Sequence, residues 1–305
     1  MPASSRNSIE ALTLRAIAQS RSPGFNWPGW FLRVAFDRAE GGRSRLSLDA
    51  APENVDADGQ LGIGPFALLA DIALAVSFRG SIAGSMRLAT ASLAITYTGA
   101  PRTGRLVATA QFDGFVHGEN RRLGLARGEV KAGRERVATI EGSFMTLGDL
   151  GSMPLPLPKR GEARDATIAE ADLDEKEREV LAHARACEAR RDAPFIRSFW
   201  GYLPERTPEG ATCRTWNGPH VGNRVGHAQG GFSFGLAQAT AEAAAPEGWR
   251  TVGATSWYIG PGLGRFLTAR ATILHRGMQT CIVRTRIEDE DGRGVLETVT
   301  QHIRG

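Results

Sequence analysis

The sequence has little cysteine and no long apolar run. Its three cysteines, Cys187, Cys213 and Cys281, are far apart and lack the short spacings of zinc sites, so neither a metal centre nor a disulfide framework is expected. A reducing compartment is the simpler interpretation. No stretch of about 18 apolar residues is present, and the N-terminus lacks the apolar core of a signal peptide. We therefore expect a cytoplasmic protein that does not insert into a membrane.

Concentrated charge is also missing. The 37 basic residues exceed the 33 acidic residues by four, and the arginines are spread along the chain. A nucleic-acid-binding protein more often shows a basic stripe with interleaved aromatic residues, so no nucleic-acid partner is expected. Neither a Walker sequence nor a GxGxxG loop after a strand occurs. The modest positive charge suits a small anionic ligand without selecting one.

What the sequence does contain is an internal repeat. Residues 223–238 pass from a polar loop through Gly230-Gly231 into an apolar helix, and a weaker copy precedes this stretch by 167 positions. Under this offset Gly231 matches Gly64, and Asn223 matches Asp56. A later segment of each copy, 95–99 and 256–260, matches at an offset of 161. We therefore predict two copies of one unit placed end to end.

Each copy predicts strands around one apolar helix. In the first copy we predict a helix at 65–78 and strands at 31–36, 44–48, 91–98, 105–112, 124–131 and 137–147. In the second we predict a helix at 230–244 and strands at 195–202, 211–216, 251–259, 266–275, 280–288 and 295–303. The short connections predict antiparallel pairing. The fold class is therefore α+β, with a sheet wrapped around a central helix in each half.

The domain organisation follows from composition. We predict an N-terminal helix within residues 1–24, a first unit at 25–150 and a second unit at 195–305. Between them, 151–194 begins with Met-Pro-Leu-Pro-Leu-Pro, which favours an extended linker, and continues into a charge-rich helix at 172–189. We expect that helix to be solvated.

These features resemble the hotdog fold, and in particular the acyl-CoA thioesterases of the phenylacetate-degradation type. The resemblance is carried by Asn223, which stands six residues before Gln229-Gly230-Gly231 at a helix start, and by Asp71 on the corresponding helix of the other copy. The pattern Thr-x-Ser-x-x-Ile-x-Tyr at 90–97 is similar to the strand that follows that helix. The resemblance covers nearly the whole chain and implies two tandem hotdog domains.

The resemblance also implies a composite active site between the two copies. Asp71 would act as base or nucleophile, and the amide of Gly230, with that of Gly231, would polarise the thioester carbonyl. Asn223 and Gln229 would hold the water and the thioester, with Gln229 in the place of the family's histidine. The reciprocal site would combine Gln238 with Asp56, Gly62 and Ile63. It lacks the helix carboxylate, the Asn and the His, so one working site and one degenerate site are expected.

Further residues are candidates for binding an acyl-CoA substrate. Thr90 would add a hydroxyl beside Asp71, and His227 would take over part of the missing histidine's role. Arg121, Arg122 and Arg276 lie at corresponding hairpins, where they would meet coenzyme A phosphates unless they are simply solvated. Coenzyme A enters as part of the substrate, and no separate cofactor is expected.

Structural and functional alternatives stay open at this point. Asn223 could cap a turn, and Gly230-Gly231 could serve close helix packing. A hotdog hydratase would be expected to carry an acid–histidine pair at the helix mouth, which is not found here. A non-catalytic acyl-CoA-binding protein is the other alternative. Fusion supplies one pair of units within the chain, and further homo-oligomerisation is not determined by the sequence.

Overall fold

The computed structural model describes residues 8–22, 25–81, 86–116, 122–149 and 166–305. Within these ranges the helices are α1 (Ile9–Ser20), α2 (Trp27–Phe31), α3 (Ile63–Arg79), α4 (Glu175–Ala189), α5 (Phe195–Trp200) and α6 (Gly230–Ala244). The strands of the first half are β1 (Ala35–Glu40), β2 (Arg43–Asp49), β3 (Met86–Tyr97), β4 (Arg105–Phe115), β5 (Leu123–Ala132) and β6 (Glu135–Asp149). Those of the second half are β7 (Glu205–Thr207), β8 (Gly210–Trp216), β9 (Trp249–Tyr258), β10 (Phe266–Arg276), β11 (Thr280–Asp289) and β12 (Gly294–Arg304).

The strands form a single sheet in which β3 joins the two halves. Its order is β1-β2-β4-β5-β6-β3-β9-β12-β11-β10-β8-β7. The central pair β3 and β9 is antiparallel, with Ile95 opposite Ala254. The six described strands of the first half lie on one side of this junction, and the six of the second half lie on the other. The order of the strands therefore reflects the internal repeat. The predicted antiparallel pairing follows from hairpins that a few residues can close.

The two long helices of the repeat lie inside this sheet. α3 carries buried residues on every side, and Asp71 is the charged residue among them. α6 is similarly apolar, and it begins and ends at the predicted residues. A helix that is apolar all round is stable only when it is enclosed, which the surrounding sheet provides. Among the described residues, no helix is long and apolar enough to span a membrane.

Glycines set how closely α3 and α6 approach. A Cβ at Gly231 would lie 2.4 Å from the Cα of Leu68. A Cβ at Gly235 would lie 2.7 Å from the Cα of Gly64. Because the obstructing atoms are backbone atoms, they cannot rotate away. The close contact of the two helices brings the start of α6 beside the middle of α3.

Two predicted strands differ from the structure, and each of them overlaps a short helix. The segment at 31–36 is divided between α2 and β1, because the side chain of Asn26 accepts a hydrogen bond from the Gly29 amide and Pro28 stands in the first turn. The segment at 195–202 forms α5, which ends at Gly201 with φ of 67°. Both segments are rich in aromatic residues, whose preference for strands is overridden by burial against the core.

The connecting region is partly as expected. Residues 150–165, which include the whole proline-rich stretch of the predicted linker, lie outside the described residues. The charge-rich helix is α4, whose N-terminus carries a capping box between Asp174 and Glu177. It is solvated on one face only, because Val180, Leu181 and Ala184 are buried. The predicted helix therefore has a solvent-facing charged surface, and its buried face was not predicted.

Replacing Gly235 by alanine should destabilise the protein by about 1–3 kcal/mol, because the added methyl group would push α6 away from α3. The measurement is the free energy of unfolding in urea. The matched control is Gly253→Ala, since the nearest atom to a Cβ at Gly253 is 3.7 Å away. Equal unfolding free energies for the two variants would contradict the close-approach argument.

Candidate active site

A buried carboxylate lies where the two halves meet. Asp71, in the middle of α3, is 4% exposed. The hydroxyl of Thr90 on β3 donates to Oδ1 at 3.0 Å, and the amide Nε2 of Gln229 donates to Oδ2 at 2.7 Å. The backbone amide of Gly231 donates a third hydrogen bond. The site is therefore composite, since Asp71 and Thr90 come from the first half and the other donors from the second.

Burial governs the charge state of this carboxyl group. The loss of solvation raises the pKa of Asp71 from 3.8 to about 6. The hydrogen bonds from Thr90, Gln229 and Gly231 act in the opposite direction, because they stabilise the ionised form. The carboxylate is thus ionised near neutral pH and is a better proton acceptor than a solvated aspartate.

Gln229 holds its position through both ends of its amide group. Its Oε1 accepts a hydrogen bond at 3.0 Å from the Phe232 amide, so the residue caps the N-terminus of α6. This leaves Nε2 to donate to Asp71. One side chain therefore fixes the helix start and the carboxylate relative to each other.

The peptide group between Gly230 and Gly231 is held on both sides. The hydroxyl of Tyr258 donates to the carbonyl oxygen of Gly230 at 2.8 Å, and the Gly231 amide donates to Asp71. No described residue accepts a hydrogen bond from the Gly230 amide, which stands at the positive end of α6. A Cβ at Gly230 would lie 3.0 Å from Oδ2 of Asp71, so glycine leaves the space in front of the carboxylate open.

Asn223 shapes the loop in front of α6. Its Oδ1 accepts hydrogen bonds from the amides of Val225 and His227, at 3.0 and 3.1 Å. Its backbone amide donates to the carbonyl oxygen of His227 at 2.7 Å. The side-chain carbonyl is therefore used within the loop, which is the turn-capping role that the sequence left open.

These residues line one cavity of about 560 Å³. Six of the residues singled out in the sequence lie in its wall: Asp71, Thr90, Asn223, His227, Gln229 and Gly230. Gly231 lies just behind them and reaches Asp71 through its amide. Much of the remaining wall is apolar, including Ile72, Val76 and Phe144. A cavity of this size, with a few polar groups at one place and apolar walls elsewhere, suits a small organic ligand.

The arginines predicted to bind phosphate are not part of this cavity. Arg122 and Arg276 are exposed and do not line it, and Arg121 lies outside the described residues. Three other arginines line the wall instead, namely Arg79, Arg87 and Arg224. His227 is close enough to Arg87 that burial and this charge together lower its pKa below 6.5. No periodic pattern in the sequence marks these arginines, because they come from separate elements.

Tyr258 was also not identified from the sequence, although a signal was present. It is the repeat partner of Tyr97, since the two are 161 positions apart. Tyr97 donates to Oε1 of Gln238 at 2.8 Å, and so contacts the residue that replaces Asp71 in the other half. The matching of two tyrosines across the repeat could have marked Tyr258 as a residue near the site.

The place in the other half that corresponds to the Asp71 site is filled by side chains. Ile63, 5% exposed, stands where the other half has Gly230. Gln238 bonds to Tyr97 and to Glu242, the latter at 3.0 Å. Asp56, the counterpart of Asn223, forms an ion pair with Arg197 at 2.7 Å. The fused halves thus present different chemistry at their two equivalent positions.

In the described part of the chain, no group of three or more His, Cys, Asp or Glu side chains is arranged to hold a metal ion. His183 and Cys187 do approach each other, with sulfur–nitrogen distances of 3.6 and 3.8 Å. His220 packs beside them, but its Nε2 lies 3.0 Å from the carbonyl oxygen of Phe199. We interpret this cluster as part of the core.

Comparison with known proteins identifies the fold. Neither a protein-family profile nor a curated protein sequence matches the chain. A hotdog-fold protein of unknown function from Alicyclobacillus acidocaldarius superposes with a TM-score of 0.53 at 11% identity, over 89% of this chain and 96% of that one. A proposed oleoyl thioesterase from Lactobacillus plantarum gives 0.55 at 11% identity, over 86% and 96%. A proposed thioesterase from Novosphingobium aromaticivorans gives 0.53 at 14% identity, over 89% and 98%.

At these identities the likeness establishes the fold alone. The chain consists of two tandem hotdog units, each with an antiparallel sheet around a central helix, and the predicted fold class is confirmed. Coverage of nearly nine-tenths of the chain means that both halves take part in the superposition.

The free energy of unfolding should depend on pH because Asp71 is buried. The pKa of Asp71 is raised on folding, so the native state favours the protonated group. The contribution of this group to the free energy of unfolding is fully present below pH 3.8 and is lost as the pH rises through about 6. Relative to Asp71→Asn, which cannot ionise, the wild type should lose about 2 kcal/mol of unfolding free energy between about pH 4 and pH 7. Urea unfolding at several pH values measures this difference. A difference that does not change with pH would mean that Asp71 titrates normally.

Proposed function

We propose that the protein hydrolyses acyl-CoA thioesters at the cavity that contains Asp71. The observation that carries this proposal is the arrangement of a buried, hydrogen-bonded carboxylate beside a helix start whose Gly230 amide has no acceptor among the described residues. A thioester needs a base that activates water and a donor for the developing oxyanion. Hotdog neighbours that include proposed thioesterases support the choice of reaction.

Asp71 acts as the general base. A carboxylate offers about four acceptor positions, and Thr90, Gln229 and Gly231 occupy three of them. The remaining position accepts a hydrogen bond from the attacking water. With a pKa of about 6, the group takes up a proton readily near neutral pH while still being largely ionised.

The Gly230 amide stabilises the oxyanion. As water attacks the carbonyl carbon, the carbonyl oxygen gains negative charge and accepts a hydrogen bond from Gly230 at the positive end of α6. Tyr258 and Asp71 hold the adjacent peptide group, so the donor does not have to reorient during the reaction. When the tetrahedral intermediate collapses, the carbon–sulfur bond breaks, the thiolate takes up the proton from Asp71, and free acid and coenzyme A leave.

Thr90 and Gln229 position the base. Thr90 bonds to one oxygen of Asp71 and Gln229 to the other, so the plane of the carboxylate is fixed. In this proposal Gln229 replaces the histidine of the family that the sequence resembles. Asn223 contributes by holding the loop in front of α6, and His227 is carried into the cavity wall by that loop.

Replacing Asp71 by asparagine should reduce kcat by about 10²- to 10⁴-fold, because the base is removed while its shape is kept. The assay is the release of free coenzyme A from short, medium, long-chain and aromatic acyl-CoAs. Gln238→Ala, at the equivalent position of the other half, should keep at least most of the activity. Unchanged turnover in Asp71→Asn would refute the assignment of the base, whereas binding without turnover in the wild type would favour a non-catalytic acyl-CoA-binding protein.

The pH dependence of kcat/KM should also reflect the ionisation of Asp71. We expect kcat/KM of the wild type to fall below about pH 6, where Asp71 becomes protonated. Thr90→Val removes a hydrogen bond that stabilises the ionised form, so the acidic limb should move to higher pH. Thr90→Ser keeps the hydroxyl and should leave the limb in place. If the limb is the same in all three proteins, Asp71 is not the group that controls it.

A further inference from the structure

Among the described residues that line the cavity, positive charges outnumber negative ones. Asp71 is the carboxylate among its described lining residues, whereas three guanidinium groups, those of Arg79, Arg87 and Arg224, face it from α3, β3 and the loop before α6. Hydrolysis of a neutral thioester needs none of these positive charges. A ligand with an anionic group would balance them.

Arg224 contributes a buried side-chain nitrogen to this part of the wall. Its Nε is buried and has no hydrogen-bond partner among the residues that the structure describes. Burial lowers the pKa of its side chain. A guanidinium nevertheless keeps its proton at neutral pH, so the cost of removing it from water persists until an anion pairs with it.

Arg79 adds a second positive charge at the same place. The neighbouring charge of Arg224 adds to the effect of burial in lowering the pKa of Arg79 to about 10. Two like charges held close together and partly away from water repel each other, and an anion between them would convert this repulsion into attraction. Each guanidinium also presents a planar set of donors that matches the oxygens of a carboxylate or a phosphate.

The position of this pair relative to Asp71 is set by α3. Arg79 follows Asp71 by eight residues, which corresponds to about 12 Å along the helix axis. Arg224 lies in the loop that Asn223 holds, and it also borders a second hollow of about 780 Å³ that shares Phe25, Asn223 and Arg224 with the cavity. The arginine pair therefore lies away from the reacting carbonyl group, where another part of the same substrate would be found.

We infer that Arg79 and Arg224 form a subsite for a second, anionic group of the substrate, either a phosphate of the coenzyme A moiety or a carboxylate at the far end of the acyl group. The inference rests on the proposed function only for placing the thioester at Asp71. Both sources share the same chemistry, namely anionic oxygens paired with two guanidinium groups.

The test uses four thioesters in which the two anions are varied independently. Hexanoyl-CoA carries phosphates only, adipyl-CoA carries phosphates and a carboxylate, S-adipyl-N-acetylcysteamine carries the carboxylate only, and S-hexanoyl-N-acetylcysteamine carries neither. Binding is measured by calorimetry on Asp71→Asn, so that hydrolysis is slow, with and without Arg224→Gln. Wild-type turnover of the same four compounds is measured in parallel.

Arg224→Gln should weaken binding of the thioesters that carry the recognised anion by about 10- to 100-fold and leave the neutral one unchanged. Weakening confined to the two coenzyme A esters identifies a phosphate, and weakening confined to the two adipyl esters identifies an acyl carboxylate. Arg79→Gln should reproduce the pattern, Arg224→Lys should restore part of the affinity, and Arg134→Gln, at an exposed turn, should change nothing. Melting temperatures establish that each variant is folded.

Equal weakening for all four thioesters, no weakening for any, or no binding of any to Asp71→Asn would overturn the subsite. If the variants do not fold, the salt dependence of binding decides instead, because only thioesters with the recognised anion should bind more weakly at high salt. A wild type that binds with the expected pattern but releases no thiol would overturn the proposed hydrolysis and leave the subsite standing.

Discussion

The structure around the cavity depends on keeping one carboxylate, that of Asp71, ionisable inside a protein core. Removing such a group from water is costly unless donors surround it. Those donors come from two places in the fold. Thr90 lies on β3 of the first half, and Gln229 and Gly231 lie at the start of α6 in the second half. The carboxylate therefore ties the two halves together, and its hydrogen bonds from Gln229 and Gly231 are available only when α3 and α6 are in close contact.

The fusion of two copies in one chain allows the two halves to differ. An unfused pair of identical units would have two identical sites, whereas fusion allows each copy to change separately. Here one position keeps Gly230 and an open space before Asp71, while the other has Ile63 and Gln238 in the corresponding places. The Tyr97–Gln238 hydrogen bond and the Asp56–Arg197 ion pair satisfy the polar groups that remain there.

Much of the fold could be predicted from the sequence, because both helices of the repeat are long and apolar and most strands are bounded by turns. The exact bounds of α6 illustrate this. The predictions failed in part at 31–36, where α2 ends and β1 begins, and at 195–202, most of which is α5; such short aromatic segments fit either a strand or a helix, and the surrounding core decides between them. Asp71, Thr90 and Gln229 were identified through the repeat and the family resemblance, whereas Tyr258 and the cavity arginines were not.

By itself the sequence determined the duplication, the enclosed helices and the presence of an acid in an apolar helix, since these follow from periodicity and composition. Only the tertiary structure decided which polar groups meet. Asp71 and Gln229 are 158 residues apart, and Arg79 and Arg224 approach each other from different halves. The physical reason is that hydrogen bonds and charge interactions act over a few ångströms, and such distances are set by how the helices pack rather than by separation along the chain.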